Sequence, residues 1–195
     1  MIVEAVAITV LMNTHINNTN TTTPKNIENK YLVEYRVTPE FLEEKKNTED
    51  IQYNIPNDIN TSFKGYMDYR TITDKTSKQW EMQQIAWTDS NGLRRINDDY
   101  CVALGTAFVN ECGVRFKVTL DTGDEFTVIV SDIKNPLHTD ETNTYVVVTD
   151  EIVNIVEFII DIETLPQKAK TLGDVSCLGF EGNIEKIEKI TEVID

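Results

Sequence analysis

The sequence predicts a mainly β domain, and three observations predict it. VRFKVTL alternates strictly, with Val114, Phe116, Val118 and Leu120 on one side and Arg115, Lys117 and Thr119 on the other, the period of a half-buried strand. DTGD (Asp121–Asp124) follows as a hairpin turn, and EFTVIVSD returns as the paired strand. Further short apolar segments, YCVALG and IVNIVEFII among them, are bounded by polar, glycine- or proline-containing stretches. Many short strands with few helices are best accommodated in a compact β barrel.

Taken in order, the chain opens with MIVEAVAITVLM. This run is too short to span a membrane, and without a preceding Lys or Arg it makes a poor export signal. A peripheral strand or helix is the expectation. The tract from Asn13 to Lys30, dominated by Asn and Thr and containing His15, reads as a linker that cannot bury enough apolar surface to order itself. A short strand is expected at Tyr31–Val37 and a charged helical turn around Pro39–Lys46. Residues 1–62 are read together as a loosely ordered arm, and residues 63–195 as the globular domain.

Within that domain FKGYMDYRTIT reads as a strand or extended loop. TSKQWEMQQIA offers Thr76 or Ser77 as an N-cap, with Trp80, Gln84 and Ile85 at helical spacing, and predicts a short helix. Asn91-Gly92 marks a tight turn, and Tyr100–Gly105 a buried strand ending at a glycine. After Asp132 comes the polar loop IKNPLHTDETNT, then two strands in YVVV and IVNIVEFII. ETLPQKAKTLGD predicts a short helix ending at Gly173. The tail, with Ile184, Ile187 and Ile190 at threefold spacing, fits either an amphipathic helix or a last strand.

Composition excludes several classes of partner. A net charge of −15 and a pI near 4.5 argue against nucleic acid or an anionic membrane surface. Nothing in the globular part predicts stable membrane insertion, and an anionic substrate would need local cations to grip it. Cys101, Cys112 and Cys177 lack the spacing of a metal site, so no metal or other cofactor is expected. They read as small buried residues, with a Cys101–Cys112 bridge open only if strands bring the two together. DTGD is a poor calcium loop because a strand starts at once. No GxSxG, HExxH, phosphate-loop or dinucleotide fingerprint is present.

The stretch from Val128 to Asp161 carries the candidate chemistry, because carboxylates sit inside or at the ends of its most apolar runs. Asp132 closes EFTVIVSD, Glu157 interrupts NIVEFII, and Asp161 ends it. A charge beside a buried strand costs several kcal/mol unless paired, hydrogen-bonded or protonated. The competing readings are structural: Asp132 as a strand end in water, Glu157 on the wet face of its strand, Asp161 as the N-cap of the following helix. On a regular strand Glu157 and Asp161 share a face but stand about 13 Å apart. His138 lies beside Asp140 in LHTDET, where a His–Asp contact would orient a proton or a cation. Lys134 is the nearest cation to Asp132.

The order of these motifs resembles the double-psi β-barrel domains of the three-aspartate (3D) family and the related lytic transglycosylases that cut bacterial peptidoglycan. YCVALGT (Tyr100–Thr106) is similar to the family's strand ending in a Leu-Gly-Thr turn, and FTVIVSD to the strand that delivers its first aspartate. VEFIID and the helix after it are similar to its Ile-Asp-x-x-x-Asp segment. The resemblance implies a six-stranded double-psi barrel with one or two short helices, and a cell-wall or extracellular setting in a bacterium or phage. It implies peptidoglycan or a related glycan as partner. Asp132 then stands at the first aspartate, Asp161 at the third, and Glu157 at the second, the catalytic acid/base. Lys134, His138, Thr139 and Asp140 would border the substrate. Two departures stand out: a Glu replaces the catalytic Asp, and the connection from Asp132 to Glu157 is longer than the family's. They leave a second reading open, a non-catalytic glycan-binding or structural module of the same fold.

Overall fold

The computed structural model describes residues 51–53, 55, 56 and 58–191, all of them in the second of two units, Glu44–Asp195. The apolar run at the N-terminus, the Asn/Thr tract with His15, the strand expected at Tyr31–Val37 and the helical turn near Pro39–Lys46 lie outside the described residues. Eleven strands are found among the described residues: β1 (Gln52–Tyr53), β2 (Tyr66–Asp68), β3 (Trp87–Thr88), β4 (Arg94–Ile96), β5 (Asp99–Leu104), β6 (Arg115–Leu120), β7 (Glu125–Ile133), β8 (Val146–Val147), β9 (Val153–Asn154), β10 (Glu157–Ile160) and β11 (Ile184–Lys189). Two short helices accompany them, α1 (Lys78–Ile85) and α2 (Gln167–Leu172). The protein is mainly β.

The expected closed, six-stranded barrel is replaced by an open, nine-stranded sheet. Its path runs β1-β11-β6-β7-β5-β10-β2, with β3 and β4 branching from β5, and β8 pairs with β9 separately. β1 and β2 end the path, and each has only one strand neighbour on it. The chain just outside the ladder nevertheless joins its two sides. The Thr61 N–H donates to Asn183 Oδ1 at 2.9 Å, and the Ile184 N–H donates to Thr61 Oγ1 at 2.7 Å. Beside them Lys64, fully buried, donates from Nζ to the carbonyls of Ser62 and Gly182. Side chains thus stitch what backbone pairing leaves open.

The β6–β7 hairpin forms as its alternation dictates. Phe116, Val118 and Leu120 are fully buried while Arg115, Lys117 and Thr119 stay half-exposed. Gly123 supplies the positive φ of 88° that the two-residue turn demands. The tail resolves as a strand, since β11 pairs antiparallel with β6 from Ile184 to Lys189. Residues 51–62, assigned to the arm on composition, contain β1, which pairs with β11, and Asn60, which bridges to Ile152. The run IVNIVEFII does not make one strand. It breaks at Ile155–Val156 into β9 and β10, both residues being fully buried.

β5 is the middle of the molecule. It runs parallel to β7 on one side, and on the other it is shared between β4 and β10, both antiparallel. Val102 and Leu104 point into the main core with Phe116, Val128, Phe158 and Ile160. Each such side chain contributes roughly 1.5–3 kcal/mol when fully buried. Tyr100, Phe126, Phe158 and Phe180 extend that core as an aromatic cluster with centroids 4.6–6.3 Å apart. Cys101 and Ala103 point the opposite way, into a smaller cluster with Ile129, Ile159 and Met82 of α1. The helix is capped by Ser77, whose hydroxyl accepts from the Trp80 N–H, one of the two caps its sequence offers.

Candidate functional site

The carboxylates meet on the face that α1 covers, and a one-residue irregularity puts them there. Along β5 and β7, Val102 pairs with Val130, but the next residue, Ala103, pairs with Asp132. Ser131 is therefore a bulge, an extra residue that re-aims the side chains beyond it. Across the other edge of β5 the same Ala103 pairs with Glu157 of β10. Directly opposed residues share a face, so Asp132 and Glu157 flank Ala103 from either side. The side chain that stands between them is only a methyl group.

Their surroundings differ. Burial is the main force on Asp132 and pushes its carboxyl above the usual range, with the Glu157 charge adding to it. Its own backbone resists, the Ile133 N–H donating to Oδ1 at 2.8 Å, as does a hydrogen bond from the Gln79 side chain. Glu157 is half-exposed, at 27% for its side chain, and has Lys134 Nζ 3.9 Å from Oε2. One turn after Gln79, Gln83 donates to Ser131 Oγ at 3.2 Å, so α1 grips the bulge through two glutamines spaced i, i+4.

Lys134 is not the surface cation that the sequence suggested. Its side chain is 3% exposed, and Nζ donates to the Asn154 carbonyl at 2.8 Å. Burial pushes its pKa down to about 8, against the pull of Glu157. It reaches Glu157 from inside the protein.

Asp161 is not brought to the pair. Its Oδ1 accepts from the Glu163 N–H at 3.0 Å and stands 3.4 Å from Arg70, whose guanidinium also pairs with Asp68 and Glu163. Its carbonyl accepts from Thr164 and Leu165. It caps the turn before α2 rather than the helix itself, whose N-cap is Pro166.

The expected His138–Asp140 contact gives way to an internally bonded loop. His138 is exposed at the end of a single 3₁₀ turn, Pro136–His138. The Thr139 hydroxyl donates to the Pro136 carbonyl and to Asn143 Oδ1. Asp140 accepts from the N–H groups of Thr142, Thr144 and Tyr145 and from the Thr142 hydroxyl. Burial opposes its charge, but these donors outweigh burial and hold the carboxyl below its usual range. The loop is seated by Gly105: a Cβ there would stand 2.0 Å from the Asn143 carbonyl oxygen.

Cys101, Cys112 and Cys177 are free thiols. Burial pushes Cys101 and Cys112 each up to about 11, which makes them poor nucleophiles. Among the described residues no group of three His, Cys, Asp or Glu side chains is placed to hold a metal ion, and no helix is long and apolar enough to cross a membrane.

The sequence reading missed Ala103, Ser131, Gln79 and Asn154. Only the Gln79–Gln83 spacing carried a signal, since two amides on one helical face aimed at a sheet seek polar partners. Two cavities lie away from the carboxylate pair. One, of about 420 Å³, is lined by residues that include Arg95, Tyr100, Lys117 and Phe126. The other, of about 320 Å³, lies between the 3₁₀ turn Tyr69–Thr71 and α1.

The fold and site define a mainly β protein with a carboxylate pair beneath a short helix. Comparison with protein-family models, curated proteins and solved structures gives no match for this chain.

Proposed function

We propose that the Asp132–Glu157 pair is the acid/base centre of a glycan-cleaving enzyme of the lytic-transglycosylase type. The observation that supports this reading is the pairing of both residues with Ala103, which sets two carboxyls of unlike environment on one face, on either side of β5. Such an enzyme needs one group that protonates the glycosidic oxygen and then, as a carboxylate, takes a proton from the sugar hydroxyl that closes an anhydro ring. That group must hold its proton near neutrality, which burial and a neighbouring carboxylate favour. Burial and its neighbour push Asp132 in that direction, whereas the resemblance gave the role to Glu157. Glu157, with Lys134 behind it, adds to the upward push on Asp132 and faces developing positive charge on the sugar. Asp161 takes no chemical part. Parallel pairing of β5 with β7 and of β2 with β10, together with the Thr61–Asn183 stitch, supports a relationship to double-psi barrels as an opened variant.

A non-catalytic glycan-binding or structural module is the rival reading. It is favoured by the Gln79 side chain, which already occupies the Asp132 carboxyl. Incubation with peptidoglycan followed by mass spectrometry of the soluble products separates the two. The enzyme reading expects anhydro-muropeptides that disappear in Asp132→Asn and fall at least about a hundredfold in Glu157→Gln. Undiminished release by Asp132→Asn removes it from the role, and no release from folded protein across several wall types leaves the module.

A further inference from the structure

Lys64 and Asn183, which stitch the two sides of the sheet, are also placed to react with each other. Lys64 precedes β2 and is fully buried, and its Nζ donates to the carbonyls of Ser62 and Gly182. Gly182 adjoins Asn183, so the amine is held one peptide unit from the Asn183 residue. The Asn183 carboxamide is itself engaged at both ends. Its Oδ1 accepts from the Thr61 N–H at 2.9 Å, and its Nδ2 donates to Asp121 Oδ2 at 2.9 Å. From this arrangement we infer that the Lys64 and Asn183 side chains join in an intramolecular isopeptide bond, with Asp121 carrying the proton.

Each part of an amide transfer has its counterpart. The nucleophile has to be a neutral amine. Burial pushes Lys64 down to about 8, against the charges of Asp174, Asp121 and Glu181, so the free amine becomes the main form above that value. A carboxamide is a sluggish electrophile and needs a donor on its oxygen as negative charge gathers there; the Thr61 N–H is that donor. Hydrogen bonds from Asn183, its side chain first, hold the Asp121 carboxyl below its usual range. Asp121 therefore starts as a carboxylate, able to take a proton from Nζ and pass it to Nδ2. In the balance, the Nζ–Cγ bond forms, the Cγ–Nδ2 bond breaks, one proton moves from Nζ to Nδ2, and ammonia leaves past the exposed Asp121. Nothing is oxidised or reduced, and no co-reactant is needed. Asp174, the other carboxyl beside Lys64, is occupied by the Lys64 and Ser176 N–H groups and by the Ser176 hydroxyl. The new bond ties the segment before β2 to the segment before β11, the two sides that the open sheet leaves unpaired. The chain in which Lys64 still titrates is the reactant. None of this depends on the carboxylate pair at Asp132.

The test incubates the freshly purified full chain at about pH 9, above the Lys64 value of about 8, and follows it by intact-mass and tandem mass spectrometry. The expected result is a loss of about 17 Da, one ammonia, with a branched peptide that joins Lys64 to Asn183. Asn183→Ala should abolish the link. Asp121→Asn should slow it about a hundredfold, the usual order for a lost proton carrier, while leaving the circular dichroism unchanged. Unaltered mass in folded wild-type protein overturns the inference. So does a loss confined to Asn183 as a succinimide, with Lys64 still open to acetylation. A branch from Lys64 to Asp174, a branch from Lys134 in its place, or an undiminished rate in Asp121→Asn would overturn it as well. The branched peptide from wild-type protein decides the matter even where a variant fails to fold.

Discussion

Lys64 and Lys134 are both buried, and burial pushes both down to about 8, yet they sit in unlike places. Lys64 is ringed by protein acceptors. It holds the Ser62 and Gly182 carbonyls, its N–H donates to Asp174 at 3.0 Å, and the charges of Asp174, Asp121 and Glu181 partly offset its desolvation. Ser62 precedes β2 and Gly182 precedes β11, so this ammonium joins strands that lie far apart along the sheet. Lys134 holds one carbonyl and faces one carboxylate that itself reaches solvent. The first lysine directs both of its ammonium's hydrogen bonds at the fold, while the second has part of its charge directed at a surface group. Equal burial does not imply equal purpose; the partners decide.

That contrast can be broken or sharpened in four ways. Lys64→Met should cost the most, about 3 kcal/mol, because it orphans two carbonyls and strips three carboxylates of a counter-charge. Urea denaturation would show it, and a loss below about 1 kcal/mol would remove the joining role. Next comes pH. A lysine with a folded pKa of about 8 loses its proton as pH rises through that value, while its unfolded counterpart keeps one up to about 10.5. The unfolded chain therefore binds more protons, and stability rises with pH. Cys101 and Cys112, raised to about 11, act in the opposite sense above about pH 9, so the window to examine is roughly pH 8 to 9. A gain of about 1–2 kcal/mol is expected there, reduced by about half in Lys134→Met.

Asp132→Asn should stabilise the protein by about 1 kcal/mol at neutral pH. A carboxyl with a raised folded pKa contributes stability below its unfolded value and loses it as pH rises through the folded one, and the amide has no such loss. Thermal melts at pH 4.5 and 7.5 should show the gain only at the higher pH. Smallest is Lys134→Met, expected within about 1 kcal/mol of wild type, since an apolar chain of similar volume replaces a buried ion. If it costs as much as Lys64→Met, the two lysines are alike after all.

Much of the architecture was legible because periodicity reports burial directly. The β6–β7 hairpin, β5, α1 with its Ser77 cap and the helix ending at Gly173 follow from alternation, capping and a left-handed glycine (φ 65°). What periodicity cannot report is which edges pair, so a closed barrel was expected where the sheet is open: its two sides are joined by Thr61, Lys64 and Asn183 and not by a strand ladder, and no sequence pattern announces a side chain that bonds a distant backbone. Part of the candidate site's geometry was legible too. Asp132 and Glu157 stood out as charges in apolar runs, and they do share a face. Lys134 and Asp161 did not fit, because a sequence shows that a charge exists but not whether its partner is a substrate, a carbonyl or an arginine.

The bulge at Ser131 gives this stretch one residue more than its ladder needs. Removing that single codon would join Val130 directly to Asp132 and make the β5–β7 ladder regular, with Asp132 still opposite Ala103. What would be lost is the local bend and the hydroxyl that accepts from Gln83 of α1. In a collection of variants made by random mutation, an in-frame deletion at Ser131 should therefore loosen α1 without turning Asp132 to the other face.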